Sequence, residues 1–392
     1  MKFPERFSNL PAYAFPRLRA LLDHHTPGGD VVHMTIGEPK HAFPAWVTDV
    51  ITEHASGFNN YPPNEGIPEL RSAFCAWLER RYGVSMDMDA NVMPLNGTRE
   101  GLYNAGMALC PEEKNGQRPV VLMPNPFYQV YMLAAISAGA EPVLVAATAE
   151  TGHLPDFAAV DEALLNRAVA CYMCSPANPQ GAVAGADYWR DLIALAERYD
   201  FQVFADECYS EIYRDVPPVG VLQCVGDANP ERVVAFHSLS KRSNLPGLRS
   251  GFIVGGAATI REAKQLRTYA GTPLPTPLQH AAAAVWADEE HVIENRAQYH
   301  AKYDLADQIL GHVPGYVAPE AGFFLWLPVA DGEAAALELW QRTGVRVLPG
   351  AYLAREIDGV NPGERYIRVA LVAPMADTRR GLEAVRDVIY AA

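Results

Sequence analysis

The sequence predicts an α/β protein with a mostly parallel central sheet flanked by helices, and a smaller α+β domain beside it. Over about 118–255, short apolar runs alternate with helical patterns, as is typical of β-α-β units. A proline-rich stretch after Thr272 interrupts this pattern, and helices then mix with short strands. We therefore expect a large domain over 37–275 and a small domain formed by 1–36 and 276–392.

Short apolar runs predict the strands, because a strand buried on both faces is apolar at every position. In the large domain these runs are 119–123, 169–174, 201–205, 233–236 and 251–254. In the small domain they are 323–327, 345–348 and 366–371.

Helices are predicted from apolar spacing and from proline positions. Trp189, Leu192, Ile193 and Ala196 recur at helical spacing, which indicates a crossover helix between the second and third strands. Pro68 suits a first helical turn and predicts a helix through Tyr82. Further helices are expected over about 289–310 and from residue 377 onward.

Composition excludes several classes of protein. The 392 residues carry a net charge of −14, which argues against nucleic-acid binding, since that needs a basic face. No apolar run reaches the roughly 18 residues typical of a membrane helix. The polar first ten residues are unlike a secretory signal, so we expect a cytoplasmic protein without a membrane partner.

The six cysteines are scattered, mostly within apolar runs, which favours reduced core thiols. Cys171 and Cys174 form a C-x-x-C pair, for which redox and zinc roles are the alternatives. No second Cys or His pair follows at zinc-finger spacing, so we expect no metal.

Polar clusters follow three of the predicted strands directly. They are Ser175–Gly181, Asp206–Tyr209 and His237–Lys241. Ligands of open α/β sheets bind beyond the carboxyl ends of the strands. We therefore expect all three clusters to open on the same edge of the sheet.

The chemistry of these clusters suits one cofactor. A lysine among apolar strands has its charged form disfavoured, so its amine can act as a nucleophile. A buried carboxylate needs a cation, which a protonated heteroaromatic nitrogen would supply. Tyr209 and Asn178 could bond a phenolate-type oxygen, and Ser238, Ser240 and Arg249 could hold a phosphate. Together these groups describe a site for pyridoxal phosphate.

Four motifs carry a resemblance to a known family. They are Ser238–Lys241 (S-x-S-K), Pro246–Arg249 (P-G-L-R), Asn178–Gly181 (N-P-x-G) and Asp206–Tyr209 (D-E-x-Y). In this order and spacing the chain resembles the fold-type I, class I/II pyridoxal-phosphate aminotransferases over nearly its whole length.

That resemblance implies a role for each matching residue. Lys241 would be the Schiff-base lysine and proton shuttle, Asp206 the partner of the ring nitrogen, and Asn178 and Tyr209 the partners of the ring oxygen. Gly37 and Arg368 would bind the substrate carboxylate, together with Asn178. The other expected cofactor contacts are Thr98, Arg99, Tyr128, Ser238, Ser240 and Arg249, with Tyr61 reaching the phosphate of a neighbouring subunit in a homodimer.

Several segments are also similar to proteobacterial N-succinyldiaminopimelate aminotransferases. They include 37–41, 95–100, 124–128, 207–213, 237–244 and 360–363. This similarity implies lysine and diaminopimelate biosynthesis with glutamate as amino donor. Since such a substrate carries extra carboxylates, we hypothesise that Arg99, Arg242, Arg17 or Arg19 binds a distal one.

Three other functions compete. One is an alanine, aspartate or aromatic aminotransferase of broad scope, and another is a C–S lyase of the same fold. The third is a regulator that kept the cofactor but lost turnover. The intact set of Lys241, Asp206 and Arg368 argues against this third function.

Overall fold

The computed structural model describes residues 5–8, 10 and 12–391. Residues 1–4, 9, 11 and 392 of the predicted small domain lie outside the described residues. The strands are β1 (Val32–His33), β2 (Val92–Leu95), β3 (Val120–Asn125), β4 (Glu141–Ala146), β5 (Ala168–Cys174), β6 (Gln202–Asp206), β7 (Val233–Ser238), β8 (Gly251–Gly255), β9 (Phe324–Pro328), β10 (Val345–Arg346), β11 (Leu348–Pro349) and β12 (Tyr366–Ala370).

The helices begin and end as follows. They are α1 (Ala14–Leu22), α2 (Val47–Glu53), α3 (Pro68–Tyr82), α4 (Thr98–Leu109), α5 (Gln129–Ser137), α6 (Glu162–Leu165), α7 (Ala186–Tyr199), α8 (Leu239–Arg242), α9 (Ala257–Ala270), α10 (Thr276–Ala287), α11 (Glu290–Leu310), α12 (Gly332–Thr343) and α13 (Met375–Ile389). Within the described ranges, no helix is both long and apolar enough to cross a membrane.

A seven-stranded sheet in the order β2-β8-β7-β6-β5-β3-β4 forms the larger layer. Strand β8 runs antiparallel to both of its neighbours, and the other pairings are parallel. The predicted mostly parallel sheet is therefore confirmed. All five strands predicted here are present, whereas β2 and β4 were not predicted.

Burial explains why these segments fold as they do. Every residue of β5 is buried, which is why its sequence is continuously apolar. Helix α7 connects β5 to β6 and buries Trp189, Leu192, Ile193 and Ala196, the four residues whose spacing predicted it. Helix α3 starts at Pro68 and ends before Gly83, which adopts the left-handed conformation that favours glycine after a helix.

Shorter sheets form the second layer. Strands β11, β12 and β9 make an antiparallel sheet, and β1 pairs with β10 in parallel. The predicted strand 345–348 is divided at Val347, because β10 and β11 pair with different partners. The predicted domain boundary between residues 275 and 276 stays a prediction. Helix α10, which follows that position, packs on α2 and α3 in the core of the large sheet.

Candidate active site

A cavity of about 360 Å³ lies at the carboxyl ends of β5, β6 and β7. The three polar clusters meet there, as the order of elements predicted. Of the predicted site residues, the following line this cavity: Gly37, Thr98, Arg99, Tyr128, Asn178, Asp206, Tyr209, Ser238, Ser240, Lys241, Arg249 and Arg368.

Lys241 lies on the short helix α8, directly after β7. Its Nζ donates a hydrogen bond to the carbonyl oxygen of Gly37 and lies 5.5 Å from the ring centre of Phe323. Burial lowers the pKa of Lys241 to about 8, because the charged form loses its hydration. The amine is therefore unprotonated, as a nucleophile must be, in about a tenth of molecules at pH 7, far more often than an ordinary lysine.

Asp206 ends β6, and its carboxylate faces the cavity from a buried position. One oxygen accepts a hydrogen bond of 2.6 Å from the Tyr131 hydroxyl, and the other accepts one of 3.3 Å from the Cys208 amide. Burial raises the pKa of Asp206, whereas its hydrogen bonds and the Lys241 amine lower it. A carboxylate in this position is stabilised by a cationic ligand.

A cradle for an anion lies at the start of α4. Gly97 precedes this helix with φ +79°, and a Cβ at this position would clash with the guanidinium of Arg249. Arg249 itself has φ +59° and donates to the carbonyl oxygens of Pro246 (2.8 Å) and Asn96 (3.2 Å). The hydroxyls of Ser238 and Ser240 are 3.0 Å apart on the cavity wall. A helix N-terminus, hydroxyls and an arginine together suit a phosphate.

Arg368 projects from β12 and is 4% exposed. It donates to Asn178 Oδ1 (2.9 Å) and to the Thr35 carbonyl (2.6 Å), and its guanidinium lies 4.2 Å from the ring centre of Phe324. Burial lowers its pKa to about 10. Its Nε has no partner, and none of the ion pairs among the described residues includes it. This arrangement suits an anionic ligand.

Arg99 lies at the mouth of the same cavity. Its Nε donates a 2.8 Å hydrogen bond to the Tyr128 hydroxyl, and Tyr128 raises the pKa of the guanidinium. Glu38 also lines the mouth and forms an ion pair with Lys40. Tyr13 also lines the cavity and lies close enough to Arg99 to raise the pKa of its guanidinium as well.

The other hypothesised arginines do not line this cavity. For Arg242 the hypothesis was wrong. Its buried guanidinium donates to the Val285 carbonyl and to Glu289, behind the lysine turn. Arg17 pairs with Glu333 on the surface, and Arg19 is exposed. The sequence around Arg242 did not reveal that its side chain points away from the cavity, because the packing of this side chain depends on distant residues at α10 and at the start of α11.

Tyr61 does not line the cavity of its own chain, and its side chain is fully exposed. The intersubunit role of Tyr61 stays a prediction.

Some residues of the site were not singled out from the sequence. Tyr131, Glu38, Cys174 and Phe324 line the cavity, and Thr35 binds Arg368 through its carbonyl. Tyr131 follows Tyr128 by three residues, which is one helical turn, so helical spacing could have revealed it. Thr35 and Arg368 are separated by most of the chain, so no local sequence pattern predicts their contact.

The residues present fit pyridoxal phosphate. An amine with a lowered pKa, a buried carboxylate and an anion cradle stand on separate walls of one cavity, which matches the aldehyde, ring nitrogen and phosphate of this cofactor. The glycine at position 97 is required because a side chain would displace Arg249 from the cradle.

Comparison with known proteins agrees with this chemistry. The family model of aminotransferase class I and II matches residues 29–385. An LL-diaminopimelate aminotransferase of Dehalococcoides mccartyi is 33% identical over 392 residues, with 97% of each chain covered. An LL-diaminopimelate aminotransferase of Nostoc sp. is 30% identical over 401 residues, covering 99% of this chain and 98% of the relative.

Solved structures show the same fold. An aminotransferase from Neisseria meningitidis Z2491 has a TM-score of 0.92 and 38% identity, covering 97% of this chain and 98% of that one. Aminotransferase AspB from Helicobacter pylori 26695 has a TM-score of 0.90 and 32% identity, with full coverage of both chains. The chain therefore belongs to the class I and II aminotransferases, pyridoxal-phosphate enzymes that exchange amino groups between amino acids and 2-oxo acids.

Proposed function

We propose that this aminotransferase interconverts N-succinyl-LL-2,6-diaminopimelate plus 2-oxoglutarate with N-succinyl-2-amino-6-oxopimelate plus L-glutamate, by a ping-pong mechanism, as a cytoplasmic homodimer. The arrangement of positive charge in the cavity carries the proposal. Arg368 lies at its base, and Arg99 lies at its mouth. The Glu38–Lys40 ion pair adds no net charge. The opening is thus suited to a substrate with an anionic distal end.

Each proposed catalytic residue has a distinct task. When bound, pyridoxal phosphate supplies a protonated ring that accepts electrons from the substrate Cα. Lys241 holds the cofactor and moves a proton at the substrate Cα, and Asp206 keeps the proton on the ring nitrogen. Tyr209 and Asn178 donate hydrogen bonds to the ring oxygen. Arg368 orients the α-carboxylate with Gly37 and Asn178.

The remaining proposed contacts fix the position of the cofactor. The proposed phosphate contacts are Thr98, Arg99 through its backbone, Ser238, Ser240, Arg249 and, from a neighbouring subunit, Tyr61. Tyr128, whose ring lies 5.7 Å from that of Tyr131, would stack on the cofactor.

Free LL-diaminopimelate is the second candidate substrate, because the relatives from Dehalococcoides mccartyi and Nostoc sp. are named for it. Its distal end carries an ammonium as well as a carboxylate. Glu38 could pair with that ammonium once separated from Lys40. The two substrates therefore differ in their demand on Glu38, whereas Arg99 could bind a distal carboxylate of either.

Replacing Arg99 with methionine tests whether this side chain binds a distal carboxylate. We expect kcat/KM for the succinylated substrate to fall about 10- to 100-fold, since a charge-assisted contact is lost. With alanine, which has no distal carboxylate, the change should stay within about threefold. Steady-state kinetics with the succinylated compound, free LL-diaminopimelate and alanine measure the difference.

The matched control is Glu38→Gln. Under the proposed function it leaves the succinylated substrate within about threefold of the parent value, since its carboxylate is already paired. Equal losses for alanine and the succinylated substrate in Arg99→Met would remove Arg99 as a specificity contact. Highest activity with aromatic or aspartate donors would instead support a broad-scope aminotransferase, and release of pyruvate and ammonia from cystathionine would support a lyase.

The pKa of Lys241 predicts how cofactor capture depends on pH. Because burial lowers this pKa to about 8, the unprotonated amine increases tenfold per pH unit below that value and levels off above it. We expect the rate of pyridoxal phosphate capture by the cofactor-free protein to follow the same curve. Stopped-flow absorbance between pH 6 and pH 10 measures it, and a midpoint near the ordinary lysine pKa would contradict the prediction.

A further inference from the structure

A buried lysine lies behind the active site without an acidic partner. Lys302 on α11 is 2% exposed, and none of the ion pairs among the described residues includes it. Its Nζ lies 2.8 Å from Nε2 of His41, and burial lowers its pKa to about 8. Burying a lysine in this way is costly, so its retention requires a reason.

Hydrogen bonding defines a direction through this cluster. His41 Nδ1 lies 3.0 Å from Asn295 Oδ1, which also accepts from Asn244 and can only accept. His41 Nδ1 must therefore donate, which leaves Nε2 to accept from Lys302. Burial lowers the pKa of His41, and the nearby Lys302 lowers it further, which keeps the imidazole neutral.

The cluster ends on the catalytic turn. Asn295 Nδ2 donates to the carbonyl oxygens of Lys241 (3.4 Å) and Arg242 (3.3 Å). The chain Lys302, His41 and Asn295, here called the relay, thus connects α11 to the backbone that carries the reactive amine.

His41 also ends the segment 37–41, of which Gly37 and Glu38 line the cavity. The carbonyl oxygen of Gly37 accepts a hydrogen bond from Lys241 Nζ, and Ala42 accepts one from Asn244. At the other end, β1 pairs with β10, and the Met34 amide bonds the Arg346 carbonyl. Glu38 and Lys40, between these ends, are partly or fully exposed. The relay, together with Asn244, therefore attaches this segment on the side of the lysine.

We propose that Lys302 and His41 are positioning residues for amino transfer, which act through Asn295 and segment 37–41 to hold the Gly37 carbonyl and Lys241 at a fixed separation. The proposal rests on the aminotransferase site and not on the choice of substrate. It explains why a lysine without a carboxylate partner is buried here.

Lys302→Met tests the relay in the holoenzyme. The variant keeps the length and apolar stem of the side chain but removes the donor to His41. We expect KM for the amino donor to rise about tenfold or more, because Gly37 and Glu38 of segment 37–41 line the cavity, while kcat changes less than about threefold. His41→Gln should produce the same pattern, and the double variant should cost no more than the larger single change.

Lys114→Met is the matched control. Lys114 is a half-buried lysine that donates to the carbonyls of Ala168 (2.6 Å) and Asp200 (2.8 Å), away from the cavity. Its loss should lower the melting temperature without raising KM. Should Lys302→Met and His41→Gln lower only the melting temperature, as this control does, the relay would be structural and the proposal overturned.

A second readout distinguishes positioning from a direct charge effect. The charged or titratable groups that act on Lys241 include Cys208, Arg368, Glu38, Arg249 and Asp206. Removing a cation at Lys302 would by itself raise the pKa of Lys241. Losing the Gly37 acceptor would instead lower it, because that hydrogen bond stabilises the protonated amine.

This pKa can be measured in the cofactor-free full-length chain from the pH profile of reductive methylation at Lys241, followed by mass spectrometry. Positioning predicts that the midpoint falls by about half a unit in Lys302→Met and in His41→Gln. It should stay unchanged in Lys114→Met. A midpoint that rises or does not move in the relay variants would contradict the proposal, whatever the substrate of the enzyme.

Discussion

Replacing Lys241 with alanine is expected to lower kcat about 10⁴-fold or more, because the proposed function gives this one side chain two tasks, holding the cofactor and moving the proton at the substrate Cα. The amine lies at the end of a buried strand, with its pKa lowered to about 8. No other lysine lines the cavity among the described residues. Single-turnover absorbance with glutamate measures the loss directly.

The control for this change is Lys114→Ala, which removes a lysine amine outside the cavity and should leave kcat within about threefold. Borohydride reduction followed by peptide mass spectrometry gives an independent check. The cofactor should be found on residue 241 in the parent protein and on no peptide in Lys241→Ala. Turnover within tenfold of the parent would contradict the assignment.

Strands buried on both faces could be predicted from the sequence because burial imposes a continuous apolar run. The run at β5 is the clearest example. Strand β4 lies at the sheet edge and is only partly buried, and it contains Pro142 near its start, while β2 contains Pro94; a proline weakens a strand prediction. Their presence depends on pairing with distant strands.

The same distinction holds in the active site. Clusters after β5, β6 and β7 could be predicted because each follows its strand directly in the chain. The hydrogen bond from Tyr131 to Asp206 and the one from Arg368 to Thr35 join segments far apart in sequence. Arg242 shows the limit most clearly. It is adjacent to Lys241, yet its cation is directed to Glu289 on the other side of the turn.

Asp206→Asn should lower kcat/KM about 10²- to 10³-fold, because breaking a buried ion pair costs about 3–5 kcal/mol. The amide has nearly the same shape and can still accept from the Tyr131 hydroxyl. It cannot keep a proton on the ring nitrogen, so electrons from the substrate Cα are accepted less readily. Steady-state kinetics measure the loss, and the absorbance of the bound cofactor reports whether it is still held.

Glu207 provides a matched control, because it is the adjacent carboxylate and is equally buried. It accepts from the Val221 amide at 2.7 Å, and burial raises its pKa to about 7, but it does not line the cavity. Glu207→Gln should therefore alter the melting temperature and leave kcat/KM within about threefold. Comparable losses in the two variants would mean that the loss comes from removing buried negative charge in general, which would contradict the role proposed for Asp206. A loss confined to position 206 would tie catalysis to the buried carboxylate that lines the cavity.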